Sequence, residues 1–436
     1  MNKFKIKYFI DFWVILINFT YRLSILGSVI DLIPIRYNNI RLLLALIIIY
    51  IFRFGAKFRL NECLKKSHVL CLLIILLVYE AIQGLLMSKS SGADLLVVVI
   101  YDALLLCYLY NIYSENRNSQ AYQIISQPFK TYCLYNIIVT LIAAILIMTG
   151  VLSPYSNDIS SNFNLFATNV SEGVKYYFPG YLSICDPSDY RILGFLGIPN
   201  LSGLSHEPQA LCFTIFPALF LILCGLTNNS ILLTIMYVLL FITLATVPSA
   251  TAILCIMVTL FIDFIWKSII KKQKLIIFIV PIGFLLSIYF LGPLISEYSS
   301  FLDNKVTDSS SNYSKITLMY VINPHSVIGD GILTDKHGDN MTGKEDVGLI
   351  SCCLLICFYV CVMFKTFKCI CSKKSLTHYI GLASLYFWLH ALKYSVFVFS
   401  YNYLVYILFM LAFADTFSKI NNAEISDKRT KLTKLY

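Results

Sequence analysis

Charge is what this sequence has least of. Only 13% of its 436 residues are Asp, Glu, Lys or Arg, against 58% that are hydrophobic, whereas an ordinary soluble protein is about 25% charged. Too little polar surface remains to solvate a soluble fold of this size. Nucleotide and zinc chemistry also lack their usual marks. There is no Gly-Lys-Ser/Thr phosphate loop, no His-Glu-x-x-His pair and no Asp-x-Asp sugar-nucleotide motif. Fourteen cysteines are present, but only Cys185 falls in a long polar segment, so no disulfide framework is available there. Cys369 and Cys371 are too isolated for a zinc site. The basic N-terminal stretch Lys3-Phe4-Lys5-Ile6-Lys7 precedes an apolar run without a small-residue cleavage site, which predicts a retained first helix.

What the chain has in abundance is apolar runs of bilayer-crossing length, about 20 residues each. They predict an all-α polytopic membrane protein, one domain over 1–436. About twelve spans are expected, near 9–30, 40–55, 68–87, 93–112, 132–152, 208–226, 230–247, 250–266, 275–293, 347–364, 377–398 and 402–418. Pro248 stands between the seventh and eighth, and merging those two would invert everything downstream. Charge decides against merging. With the N-terminus inside, the cytoplasmic segments hold 23 Lys and Arg and the outer segments ten, with Arg22 inside the first span. That is the bias expected of short cytoplasmic loops, and it predicts both termini in the cytoplasm. The net charge of +10 has the same origin, so membrane lipids rather than nucleic acid are the expected partners of these cations.

Two outer segments, 153–207 and 294–346, are far longer than topology requires, and loops of that length are usually functional or disordered. Both are net acidic, with five acids against two bases and eight against four. Tyr176, Tyr177, Phe178 and Tyr181 give the first an aromatic patch suited to the headgroup level. Arg191 is the only arginine in either segment. A guanidinium binds a diphosphate or carboxylate in a two-pronged way that lysine cannot copy. An ordinary surface pair with Asp186 or Asp189 is the competing explanation. Arg191 opens a run through Gly194, Gly197, Pro199-Asn200 and Gly203 to Ser205-His206-Glu207-Pro208, and Pro208 suits the first turn of a helix. Glu207 there either complements the helix N-terminus or takes part in chemistry. The second segment carries Asn323-Pro324-His325 leading to Gly329-Asp330-Gly331, and later Glu345-Asp346-Val347-Gly348. His325 is a candidate base or phosphate contact.

On these residues the chain resembles the O-antigen polymerases, in the superfamily that also holds the O-antigen ligases. Three pieces over roughly 191–360 carry the resemblance: Arg191-x-x-Gly194 through Glu207-Pro208, Pro248-Ser249-Ala250-Thr251-Ala252 opening a helix, and Gly329-Asp330-Gly331 followed by Asp346-Val347-Gly348-Leu349-Ile350. The resemblance implies a glycosyltransferase of the bacterial inner membrane acting on the periplasmic face. It would use undecaprenyl-diphosphate-linked oligosaccharide, with no nucleotide sugar, no metal and no cofactor, and a chain-length regulator is a further partner of such systems. It implies that Arg191 holds the diphosphate and that His325 or Glu207 serves the acceptor hydroxyl, with His206, Lys305 and Lys315 as substrate contacts. One departure stands out. Family members often carry Arg in both large loops, whereas 294–346 offers only Lys305, Lys315, Lys336 and Lys344. A ligase is the alternative within the same chemistry. A lipid-linked oligosaccharide flippase is the alternative from another class, although flippases favour short loops and charged central cavities.

Overall fold

The computed structural model describes residues 3–20, 38–86, 90–151, 176–177, 184–186, 198, 200–201, 203, 208–226, 230–247, 249–270, 326–329, 348–394 and 403–418. Its helices are α1 (Lys3–Thr20), α2 (Asn38–Phe54), α3 (Leu60–Lys65), α4 (His68–Leu86), α5 (Ser90–Glu115), α6 (Asn118–Met148), α7 (Pro208–Leu226), α8 (Ser230–Thr246), α9 (Ala250–Ile270), α10 (Leu349–Ile370), α11 (Ser375–Tyr394) and α12 (Tyr403–Phe417). Eleven of these match expected spans. The expected span at 275–293 lies outside the described residues, and the short α3 was not anticipated. Within lipid a helix satisfies its own backbone groups, which is why apolar runs take this form.

Five described helices are long and apolar enough to cross a membrane by length and composition alone, within α4, α5, α6, α9 and α10. The described helices carry apolar outward faces: Phe52 of α2, Ile231 of α8 and Phe364 of α10 are each more than 70% exposed. In water such a belt would be costly at about 25 cal/mol per Å²; against lipid it is not. The chain is a helical membrane protein.

Side-chain pairs give each helix a direction. Cys224 at the end of α7 meets Ser375 at the start of α11, 3.8 Å apart, and Phe213 near the start of α7 stacks on Phe387 later in α11. Thus α7 and α11 are antiparallel. Val247, just past α8, accepts from Cys212 at the start of α7, while Lys267 at the end of α9 bonds Tyr379 near the start of α11. The chain therefore runs back along α7 in α8, turns, and returns in α9. Ser249 caps the new helix, its Oγ accepting from Ala252 N at 3.3 Å. Pro248 thus lies between two antiparallel spans, as the charge bias requires.

The same logic gathers one set of ends together. Tyr8 of α1 lies by Asn116 and Gln120. Arg53 at the end of α2 reaches Glu115 at the end of α5, and Tyr122 of α6 packs on Phe417 of α12. Lys365 of α10 pairs with Asp415 of α12, and Thr377 of α11 bonds Ser418. This is the Lys- and Arg-rich end, called the inner end below. The opposite, outer end holds the end of α4 and the starts of α7, α10 and α12.

The centre is built from the last two helices. Of α12, Tyr403 to Leu411 is buried without a break, and α11 is buried around its whole circumference from Leu376 to Trp388. Around them pack α7, α9 and α10 against α11, and α4, α5 and α6 against α12. The bundle is all-α, but the first outer segment is not. It contains β1 (Tyr176–Tyr177), β2 (Ile184–Asp186) and β3 (Asn200–Leu201) in one antiparallel sheet, order β1-β2-β3. The sheet pairs Tyr176 with Cys185 and Cys185 with Leu201. Strands this short carry no alternation to read, so the sheet leaves no mark in the sequence.

Candidate functional site

Arg191 belongs to the stretch connecting β2 to β3, so the sheet bounds the chain on both sides of it. The described residues in and beside β3 are buried: Ile198, Leu201 and Gly203. Gly203 has φ +54°, and a Cβ there would stand 2.9 Å from both Asn136 Oδ1 and Leu211 Cδ2 and 3.2 Å from Thr140 Oγ1. The backbone is thus pressed against α6 and the first turn of α7, where a side chain has no room and a left-handed φ favours glycine. Asn136 bonds its own helix at Tyr132 O through Nδ2, 2.9 Å. Five residues later Pro208 opens α7, the position expected of it, and its missing N–H costs nothing in a first turn.

Below this mouth, α7 meets the central helices. The Tyr386 hydroxyl lies 3.2 Å from the Cys212 carbonyl and 3.0 Å from His390 Nδ1. A phenol has one proton. Both bonds hold together when Tyr386 donates to the carbonyl and His390 Nδ1–H donates to the phenol. The Phe213 ring stands edge-on to His390 at 5.1 Å and to Tyr403 at 5.4 Å. Neither Tyr386 nor His390 was singled out from the sequence. Their i, i+4 spacing inside an apolar span was the available signal, and it looks the same in a purely structural pair.

The second outer segment is anchored at another point of the outer end. The Ser326 and Val327 carbonyls accept from Leu349 N at 2.9 Å and Ile350 N at 3.2 Å, two of the first free N–H groups of α10. Ser326 Oγ accepts from Gly329 N at 2.7 Å. Gln83, buried in the last turns of α4, donates through Nε2 to the Ile328 carbonyl and accepts from Ser351 Oγ at 3.2 Å. Gly348 has φ +80°, and a Cβ there would overlap the Ile328 carbonyl and lie 2.8 Å from Gly329 N. The two glycine-bearing pieces that the sequence places far apart, around 329 and 348, are therefore one interlocked turn.

Among the described residues, a cavity of about 10 Å³ between α6, α7, α11 and α12 is lined mainly by apolar side chains such as Phe129, Leu221 and Met410, with Ser126, Ser384 and Tyr406; it is too small for a sugar. Several buried or half-buried inner-end charges are paired with one another. Arg53 donates from Nε and Nη2 to the two Asp11 oxygens, 3.1 Å each, and from Nη1 to Glu115 at 2.9 Å. Tyr108 donates to Asp11 at 2.7 Å. Asp263 takes Lys267 at 2.7 Å and His378 Nε2 at 2.8 Å, while His378 Nδ1 lies 2.6 Å from the Ile370 carbonyl. These contacts tie helices together, and they leave the outer mouth as the candidate site. Among the described residues no group of three or more His, Cys, Asp or Glu is placed to hold a metal ion.

Arg191, His206, Glu207, Lys305, Lys315 and His325 lie outside the described residues. The structure places their neighbours: Gly203 and Pro208 on either side of His206 and Glu207, and Ser326 directly after His325. Comparison of the chain with protein-family models, with curated proteins and with solved structures finds no match.

Proposed function

We propose that this chain is a lipid-linked oligosaccharide polymerase of a bacterial inner membrane, a glycosyltransferase working at the outer mouth of the bundle. The observation that carries the reading is the anchoring of both motif-bearing segments at the outer end, each at a glycine of positive φ packed closely on its surroundings, Gly203 and Gly348. Segments that only connected helices would not need so close an approach.

In the proposed reaction the bond between the anomeric carbon of a growing glycan and undecaprenyl diphosphate breaks. A hydroxyl of an incoming lipid-linked repeat unit forms the new glycosidic bond. The departing diphosphate gains negative charge, which the Arg191 guanidinium would stabilise. The hydroxyl loses its proton to His325 or Glu207 as base. A second cation for the diphosphate would come from Lys305, Lys315 or His206, since the second segment holds no arginine. The basic inner end, facing the cytoplasm, orients the outer mouth toward the periplasm.

The test is genetic first. A strain deleted for this chain should make lipid A core bearing a single repeat unit; bare core would mean a ligase instead. Complementation with Arg191→Ala or Arg191→Lys, each checked for membrane expression, should fail to restore the polysaccharide ladder. Wild-type chain length in both variants removes Arg191 from the mechanism.

A further inference from the structure

We infer that Gln83 is the positioning residue of the second outer segment, the group that ties its Ser326–Gly329 turn to α4 as well as to α10. The inference rests on the function proposed above for its catalytic part and on geometry alone for its positioning part. Gln83 is 1% exposed and uses both ends of its carboxamide. Its N–H donates to the Ile328 carbonyl, 245 residues away in sequence, and its oxygen accepts from Ser351 in the first turn of α10. Leu349 N and Ile350 N tie Ser326–Gly329 to α10, and the Gln83 bond adds a tie to α4. With it, the turn is fixed to α4 and α10 together.

Ser326, Val327 and Ile328 each have their carbonyl committed to the scaffold. His325, proposed above as a base, immediately precedes them in the sequence. A general base displaced by about 1 Å can cost on the order of 100-fold in rate. A polar amide buried at this depth is retained only where its bonds are made, and here one of them places a loop.

Two variants test this. Gln83→Leu removes both bonds at similar volume. Gln83→Glu keeps the acceptor for Ser351 and loses the donor while ionised; once protonated, the introduced carboxyl donates to the Ile328 carbonyl as the amide did. The first readout needs no activity. Nitroxide labels at Val327→Cys and Val151→Cys, both exposed positions, on a background with native cysteines replaced, report the distance from the segment to the end of α6. A single narrow distribution is expected with Gln83 present and a broad one with Gln83→Leu. The second readout is extension of lipid-linked repeats by purified protein in detergent. Gln83→Leu should lower kcat about 10- to 100-fold with KM little changed. Gln83→Glu should recover toward wild type, compared at each pH, as pH falls. A narrow distance distribution in Gln83→Leu together with unchanged kcat overturns the inference. If the wild-type chain extends nothing while the distance still broadens in the variant, the proposed function has failed and the clamp stands.

Discussion

Alanine at position 348 is expected to open the turn that joins the second outer segment to α10. Two routes relieve the substitution, and their costs can be compared. In the first, the turn stays closed. The residue then keeps φ +80° and ψ +145°, a region that is nearly glycine-only and costs about 1–3 kcal/mol, with the overlap on the Ile328 carbonyl added. In the second, Ser326–Gly329 withdraws. That forfeits the bonds at Leu349 N, Ile350 N and Gln83, each worth about 0.5–1.5 kcal/mol, or about 3 kcal/mol together. Withdrawal is no dearer than closure, so a large share of molecules should be open. Hydrogen exchange by mass spectrometry in detergent or nanodiscs reads this directly. The amides of Leu349 and Ile350 should lose about 100-fold in protection, since about 1.4 kcal/mol corresponds to tenfold, while the middle of α10 is unchanged. Gly225→Ala is the control: a Cβ there meets nothing within 4 Å, and exchange around it should not rise. Protection at Leu349 and Ile350 within about threefold of wild type in Gly348→Ala would refute the reasoning.

Arg53→Ala should destabilise the inner end by about 3–5 kcal/mol, because it strands Asp11, which is fully buried, with only Tyr108 to bond it. A thermal shift in detergent followed by size-exclusion chromatography measures it, and an unchanged midpoint would mean that the ion pair contributes nothing. Cysteine chemistry tests both burial and orientation. Cys63 on α3 is buried, and burial pushes its thiol up to about 12. A raised thiol pKa leaves less thiolate at a given pH, so at pH 8 a single-cysteine chain retaining Cys63 should resist maleimide. One retaining the exposed Cys371 should react. In intact spheroplasts a membrane-impermeant maleimide should miss Cys371 until the membrane is broken. Labelling from outside would place the basic end on the periplasmic face.

The described helices differ from the expected spans mainly at their ends. α1 begins at Lys3 rather than near 9, and α6 runs from Asn118 rather than 132. Hydropathy marks where a helix is apolar, not where its hydrogen bonding stops, so Lys130 and the polar turns before it were placed outside the span. The break at Pro248 was legible because proline and the Lys/Arg bias agreed on it. Asp11 was not noticed at all: a lone carboxylate in an apolar run reads as an end effect until Arg53 is seen to close on it. Of the candidate site, Gly203, Pro208, Gly329 and Gly348 were legible as unusual residues in order, and the structure gives a steric reason for Gly203 and Gly348. Gln83, Tyr386 and His390 were not legible, because one polar residue in an apolar helix has no signature until its partner is known.

From the sequence alone came the membrane class, the division into spans, their alternation and the two long acidic outer segments. All of these follow from composition and local hydropathy, which need no knowledge of what touches what. Tertiary structure decided which helices form the centre. Lipid is as apolar as a packed core, so α11 and α12 look no different in sequence from the helices around them. It also decided that the outer segments are anchored rather than free, Gly203 to α6 and α7 and Ile328 to Gln83 and Gly348. Those contacts join residues up to 245 positions apart, and only the fold brings them within reach.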